Sequence, residues 1–311
     1  MSLAESILFG ISRRRIQRAG QAAAAAKGRG TKQDYDAWRE AELRKHLCGN
    51  FDLEEVRGRH VLDFGCGTGA LAFHLIQLGA ARVLGVDLSP DLVDRARARA
   101  RQEGLAAAAF RVARNPGRID CRDESFDLIC CFDVLEHVMF PGRVVGEWRR
   151  VLRPEGKVWI WWSHWRSPYG HHLASLVPVP WAHVLVSERT LINVAARVYD
   201  DPCFVPRGWH VDSHTGEKLP NKWRMGSSLS SGLNKLTLAR FQAACKCSDF
   251  SLRLRPHGFS STAVRRRLRW MAHLPGLGEY FTSYYTAVLQ KAGAGERLRT
   301  PASGGQPRGR R

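Results

Sequence analysis

HVLDFGCGTGAL, residues 60–71, is the stretch that decides how this chain folds and what it holds. Its first half is a short apolar strand carrying one carboxylate, Asp63, and its second half alternates Gly65, Gly67 and Gly69 with small residues. Glycines so spaced let the backbone turn sharply and let a ligand touch it. Gly65, Gly67 and Ala70 satisfy the G-x-G-x-x-G/A pattern of dinucleotide sites, and Asp87 follows at the end of the next strand signal. Asp63 weighs against a dinucleotide. A carboxylate at this turn repels a pyrophosphate and attracts a cationic ligand.

Working outward, apolar runs recur at RVLGVDL (82–88), AAFRVA (108–113), FDLICCFDV (126–134) and KVWIWWS (157–163), with helical patterns between them. Nearly continuous apolar strands alternating with helices indicate a parallel sheet covered on both faces. Ser89 and Pro90 read as the N-cap and first residue of one helix, which Gly104 closes. Val144, Val145, Trp148, Val151 and Leu152 share one face of another, which Pro154 and Gly156 end. After Ser163 the alternation stops, and only WAHVLVSERTLINVAARVYD looks helical before regularity resumes with KLTLARFQAACKCSDF, the strand SLRLRPHGF, a basic helix and the closing strand YYTAVLQKAG.

Lysine and arginine number 48 against 29 acidic residues, a formal charge of +19, while the 44% hydrophobic content is that of a folded globular protein. The excess charge suits an acidic partner, but it is spread over helices and tails, as in Arg13, Arg14, Arg15 and Arg18. Nucleic acid is therefore not the favoured partner, and the N-terminus, with Ile7, Leu8 and Ile11 before its arginines, reads first as a frayed basic leader, with a helix in peripheral contact with an anionic membrane or a transit-like segment as the alternatives. Eight cysteines without a CxxC pair point to a reduced, cytoplasmic setting and to no metal site of zinc-finger type. No apolar run approaches the ~18 residues of a membrane span.

At four ordered places the sequence resembles the class I S-adenosylmethionine-dependent methyltransferases of small-molecule type: VLDFGCGTG, VLGVDLS, SFDLICCFDVLEHV and EWRRVLRPEGKVWI. The resemblance runs from about 58 to 163, and LTLARFQAACKCSDFSL fits it as well. It implies an α/β fold, Rossmann-like and doubly wound, with a mostly parallel seven-stranded sheet and a large insertion between strands 5 and 6. The expected segments are a basic, partly disordered leader (1–32), a cofactor-binding core (33–163), an insertion or lid forming the acceptor pocket (164–233), the C-terminal part of the core (234–291) and a disordered basic tail (292–311).

The resemblance further implies S-adenosylmethionine as cofactor. Asp63 and Gly65 would hold its methionine end, Gly67 and Gly69 would let the backbone close around it, and Phe64 and Cys66 belong to the same loop. Asp87 would bind the ribose hydroxyls with Leu88 against the adenine, and Phe132 and Asp133 would line the floor near the methyl. The acidic residue commonly found after the third strand is missing at Ala113, Arg114 and Asn115, so the adenine contact stays unassigned.

For the acceptor side, a base assists if the acceptor is a neutral alcohol, and histidine is the default type. The candidates are His137, just after the fourth strand, and Tyr169, His171 and His172 at the start of the insertion, against a packing role for each. His210 and His214 with Asp212 form a weaker metal alternative. Tryptophans 159, 161, 162, 165, 181, 209 and 223 suit a pocket for a sugar ring or apolar small molecule. The expected function is O-methylation of a glycan, lipid-linked or secondary-metabolite hydroxyl. An RNA methyltransferase, a non-catalytic protein retaining the fold and, more distantly, a dehydrogenase are the alternatives.

Overall fold

The structure, a computed structural model, describes residues 2–25, 32–115, 117–212, 215–258, 269–274 and 276–291. The expected disordered tail, the basic helix around Arg265 to Arg267 and His214 lie outside the described residues.

Two helices, α1 (Leu3–Ala25) and α2 (Lys32–Asn50), precede the alternating region. Then come β1 (His60–Phe64), α3 (Ala70–Gln77), β2 (Arg82–Asp87), α4 (Pro90–Gln102), β3 (Ala108–Val112), β4 (Phe126–Phe132), α5 (Pro141–Val151) and β5 (Leu152–Trp162). The insertion holds α6 (Ala182–Leu185) and α7 (Glu188–Asp200), and the chain closes with α8 (Leu238–Cys247), β6 (Phe250–Gly258) and β7 (Thr282–Lys291). The seven strands run in the order β3-β2-β1-β4-β5-β7-β6. All neighbours are parallel except β7, which lies antiparallel between β5 and β6.

Helices cover both faces, which is why the strands are apolar on both. One layer sets Trp148 of α5 and Phe241 of α8 against Ile129, Ile160, Trp162 and Leu289. The other sets Leu47, Phe73 and Leu75 against Val61, Val83 and Trp159. The helix-end signals operate as the sequence indicates: Ser89 accepts a hydrogen bond from the Leu92 amide, with Pro90 in the first turn. The face of α5 formed by Val144, Val145, Trp148 and Val151 is buried, whereas Leu152, read as helical, is already the first residue of β5.

Two expectations meet a different structure. Where a frayed leader is expected, α1 is a helix that packs parallel to α7: Asn193 donates to Glu5 (2.7 Å), Arg13 pairs with Asp201 (2.8 Å) and Leu8 is buried. And the tryptophans expected around an acceptor pocket are mostly structural. Trp159, Trp161 and Trp162 are buried in β5, because a central strand covered on both faces has room for large side chains on each. The insertion is not merely irregular; with α1 it has an apolar core of its own that includes Leu8, Leu173, Val177, Leu191, Val194 and Tyr199.

Candidate cofactor and acceptor site

Strand order reverses between β1 and β4: from β1 the chain proceeds to β2 and β3, from β4 to β5 on the other side. At such a switch point the loops leaving the strands part, and a crevice opens at the carboxyl ends. The glycine loop leaves β1 there, and Asp133 and Val134 leave β4 opposite it.

The loop is drawn tight by its neighbours. The amides of Gly65 and Cys66 donate to the Val86 carbonyl (2.8 and 3.0 Å). The Asp87 carboxylate accepts from the Gly67 amide through one oxygen and from the Ser89 amide through the other, each at 2.9 Å. Gly65 has φ +80, and a Cβ there would lie 2.3 Å from Cγ2 of Val134, so the two loops can approach only because Gly65 has no side chain. Gly67, at φ +52, has the opposite surroundings: a Cβ there would meet nothing within 4 Å, and the residue borders open space.

Two clefts meet at Gly65. The larger, of about 480 Å³, is bounded by Phe64, Asp87, Leu88, Asn115, Asp120 and Asp133 among others. The smaller, of about 410 Å³, is bounded by Arg39, Asp63, Cys66, Gly67, Phe132 and Trp209 among others. Asp63 lies not in the turn but within β1, flanked by Leu62 and Phe64. It is 2% exposed, and its Oδ2 has no hydrogen-bond partner. Burial raises its carboxyl to about 7, the charge of Asp87 adding to the effect and that of Arg39 opposing it. Cys66, Cys130 and Cys131 are pushed up by burial as well, and all eight cysteines are free thiols.

At the end of β4, Asp133 adopts φ +60, and its Oδ2 pairs with Arg39 of α2 at 2.9 Å. Burial works against ionisation of Asp133, but Arg39 holds its carboxyl below the usual range. Glu136, in the single turn that follows, is 4% exposed with neither oxygen hydrogen-bonded, and burial with the nearby Asp133 charge pushes its carboxyl well up. His137 borders the larger cleft, its Nδ1 2.7 Å from the Gly232 carbonyl. His172 comes from the insertion, its Nε2 3.8 Å from Oε1 of Glu136 and its ring 5.3 Å from that of His137.

Thus the structure brings His137 and His172 together and leaves their companions aside. His171 is fully buried inside the insertion, its Nδ1 accepting from the Leu173 amide at 2.9 Å and its Nε2 facing the Val179 carbonyl. Burial holds its imidazole neutral, down to about 3, so as a catalytic candidate it is corrected to a packing residue. Tyr169 stacks edge-on against His171 at 6.1 Å and borders neither cleft. His210 is buried with its Nδ1 accepting from the Arg207 amide. Two residues went unmarked in the sequence. Arg39 lies in a helix without a motif, and Glu136, though inside the LEH signal, looks like any helical glutamate until its burial is known.

The strand order, the glycine loop and Asp87 at the end of β2 coincide with a match of residues 62–160 to the family described as "Methyltransferase domain". These residues form a methyltransferase domain. The domain is similar to the ubiquinone biosynthesis O-methyltransferase of Neisseria meningitidis, 28% identical over 165 residues, 53% of this chain and 59% of that one. It is also similar to the ubiquinone biosynthesis O-methyltransferase of Methylococcus capsulatus, 38% identical over 105 residues, 34% of this chain and 44% of that one. The methyltransferase match thus spans roughly half the length of these relatives. A solved S-adenosylmethionine dependent methyltransferase from Mesorhizobium loti is 18% identical with a TM-score of 0.48, over 81% of this chain and 96% of that one.

The cavity fits the cofactor of this methyltransferase family. A buried carboxylate with an unpartnered oxygen suits an ammonium group, a glycine open on its ligand side suits close approach of backbone, and a second carboxylate at the end of β2 suits a diol. Among the described residues no helix is long and apolar enough to cross a membrane.

Proposed function

We propose that the protein transfers a methyl group from S-adenosylmethionine to a hydroxyl of a small-molecule acceptor, in the range of glycans, lipid-linked compounds and secondary metabolites. The observation that carries this reading is the pair of clefts joined at Gly65, one ending on the unpartnered Oδ2 of Asp63 and the other on Asp87. When bound, S-adenosylmethionine supplies an electrophilic methyl on a sulfonium. Asp63 accepts hydrogen bonds from the ammonium, and Gly67 keeps the loop free of a side chain beside the amino-acid end, while Gly69 lets the loop pass close to Phe73 and Phe110 in the core. Each Asp87 oxygen accepts one backbone N–H and retains a lone pair for a ribose hydroxyl. Leu88, 58% exposed, offers its apolar surface to the adenine, and Asn115 and Asp120 line the same cleft.

Methyl transfer is an in-line displacement, so the chain contributes chiefly by alignment and by excluding water. Phe132 and Trp209 form an apolar wall for that purpose, and Arg39 fixes Asp133 at the floor. The names of the relatives support oxygen as the acceptor atom. Glu136, His137 and His172 are the groups near the β4 end suited to polarise a hydroxyl.

Titration calorimetry tests the reading, with S-adenosylmethionine and a nicotinamide dinucleotide as paired ligands and Gly67→Val beside wild type. Binding of the former in the micromolar range, weakened at least about tenfold by a side chain in the ligand's space, is expected. Failure of the folded wild type to bind S-adenosylmethionine, or preference for the dinucleotide, refutes it.

Peripheral contact with anionic lipid has separate support. Leu3, Ile7 and Ile11, one helical stripe of α1, are 77%, 54% and 40% exposed, and Arg14 and Arg18 are exposed on the same helix. Co-sedimentation with anionic but not neutral vesicles, lost in Ile7→Asp, is the expected result; equal pelleting with both rejects it.

A further inference from the structure

The turn after β4 carries a group of ligating side chains that the cofactor does not use. Glu136, His137 and His172 each direct one ligating atom into a common space, and these atoms all lie within 4.8 Å of one another. Three properties separate this group from a chance surface cluster. First, Glu136 is 4% exposed and its oxygens accept from no N–H donor; it faces the Asp133 carboxyl, with which it can only share a proton, an arrangement of buried acids that favours a cation beside it. Second, His137 is oriented from behind. Its Nδ1–H donates to the Gly232 carbonyl at 2.7 Å, which fixes the tautomer and leaves the Nε2 lone pair free. A backbone carbonyl behind an imidazole is the usual support of a metal-binding histidine. Third, His172 is delivered from the insertion at φ +54, a conformation that non-glycine residues rarely adopt and that persists only when surrounding structure imposes it.

We infer that Glu136, His137 and His172 bind one divalent transition-metal ion, and that this ion takes the acceptor oxygen at an open coordination position. Two imidazoles and one carboxylate suit zinc, manganese, cobalt or ferrous iron, whereas magnesium and calcium favour all-oxygen sites. Ligands at about 2.0–2.2 Å from an ion lie about 3–3.5 Å from one another, so side-chain rotation of an ångström closes the present spacing. Asp133 stays outside the ligand set because Arg39 already compensates its charge at 2.9 Å. Both imidazoles reach solvent, so an ion and an acceptor can enter.

The ion's role toward the acceptor rests on the methyl-transfer reading; its binding does not. A cation against the acceptor hydroxyl lowers its pKa, and the proton passes to solvent. The oxygen's electron pair then forms the O–CH₃ bond while the C–S pair returns to sulfur, converting sulfonium to thioether. One proton is released and no redox equivalent is needed.

The experiment uses the full chain in a Cys48→Ser, Cys247→Ser background, which removes the two exposed thiols as competing ligands. The protein is stripped with chelator and titrated with Zn²⁺, Mn²⁺ and Co²⁺, read by calorimetry, by metal-to-protein ratio and, for Co²⁺, by visible absorption. Expected are one ion per chain, a rise in Tm on binding and at least a thirtyfold weakening in Glu136→Gln and in His172→Ala, both checked for native circular dichroism. No stoichiometric binding of any of the three, or binding unchanged in both folded variants, overturns the inference. S-adenosylmethionine binding is measured on the same metal-free samples. Metal binding without it keeps this site and rejects the proposed function, and the reverse outcome does the opposite.

Discussion

A buried carboxylate raised to about 7 makes cofactor binding a proton-linked event. In the free protein roughly half of Asp63 is ionised at pH 7 and about one-tenth at pH 6, whereas a ligand ammonium pairs only with the ionised form. Affinity for S-adenosylmethionine should therefore fall about tenfold, or about 1.4 kcal/mol, between pH 8 and pH 6, with about half a proton released per binding event at pH 7. Calorimetry in two buffers of different ionisation enthalpy reads both quantities. Asp63→Asn is the control: it keeps the shape, removes the titration and should weaken binding by about 2–5 kcal/mol at pH 8 through loss of a buried charge pair. The sign for stability is opposite. Because the folded value exceeds the ordinary 3.8, the stability Asp63 contributes is full below pH 3.8 and is lost as pH rises through about 7. Ligand-free Asp63→Asn should thus melt well above wild type at pH 8 and by a smaller margin at pH 5, the two converging only near pH 3.8. A wild-type affinity flat from pH 6 to pH 8, or a slope retained in the variant, refutes this account of Asp63.

Other expectations follow from the packing. Gly65→Ala sets a methyl 2.3 Å from Val134 and should cost about 1–3 kcal/mol of stability by overpacking, seen as a lower denaturant midpoint; an unchanged midpoint would mean the two loops are not held this close. Trp148→Ala empties a fully buried site between α5 and the sheet and should cost about 3–5 kcal/mol; a loss below 1 kcal/mol contradicts its core position. His171→Ala should lower Tm while leaving the affinity for S-adenosylmethionine within about twofold, since both its nitrogens face backbone inside the insertion and mutations distant from a site act independently of it. A collapse of cofactor affinity with unchanged Tm would return it to the site. Arg39→Met leaves Asp133 without its ion-pair partner and, because that pair is only partly buried, should weaken the cofactor by about threefold to tenfold, roughly 1 kcal/mol, at unchanged loop sequence. Equal affinity would place α2 outside the site.

The parts legible in the chain were those written by local rules. Strand and helix alternation, the Ser89–Pro90 start of α4, the buried face of α5 and the glycine loop after β1 all follow from backbone geometry and short-range periodicity, and with the ordered motifs they point to the sheet and its cofactor. The three glycines and Asp87 stood out as candidates because a turn that admits a ligand has few sequence solutions.

What lies across the site could not be read that way. Arg39 reaches Asp133 from a helix 94 positions earlier, and His172 reaches Glu136 from 36 positions later, across connections whose paths no local pattern encodes. Neighbouring histidines 171 and 172 look equivalent in sequence, yet one turns into the insertion's core and the other toward the cleft. The burial that lifts Asp63, strands Glu136 and hides Trp159, Trp161 and Trp162 is a property of the closed sheet and its two helical layers. Sequence alone determined the fold's alternation and the loop's chemistry, because both depend on residues within a turn or a strand of one another. Only the tertiary structure decided which charged groups are dry and which of them meet, because desolvation and contact depend on every element packed around them.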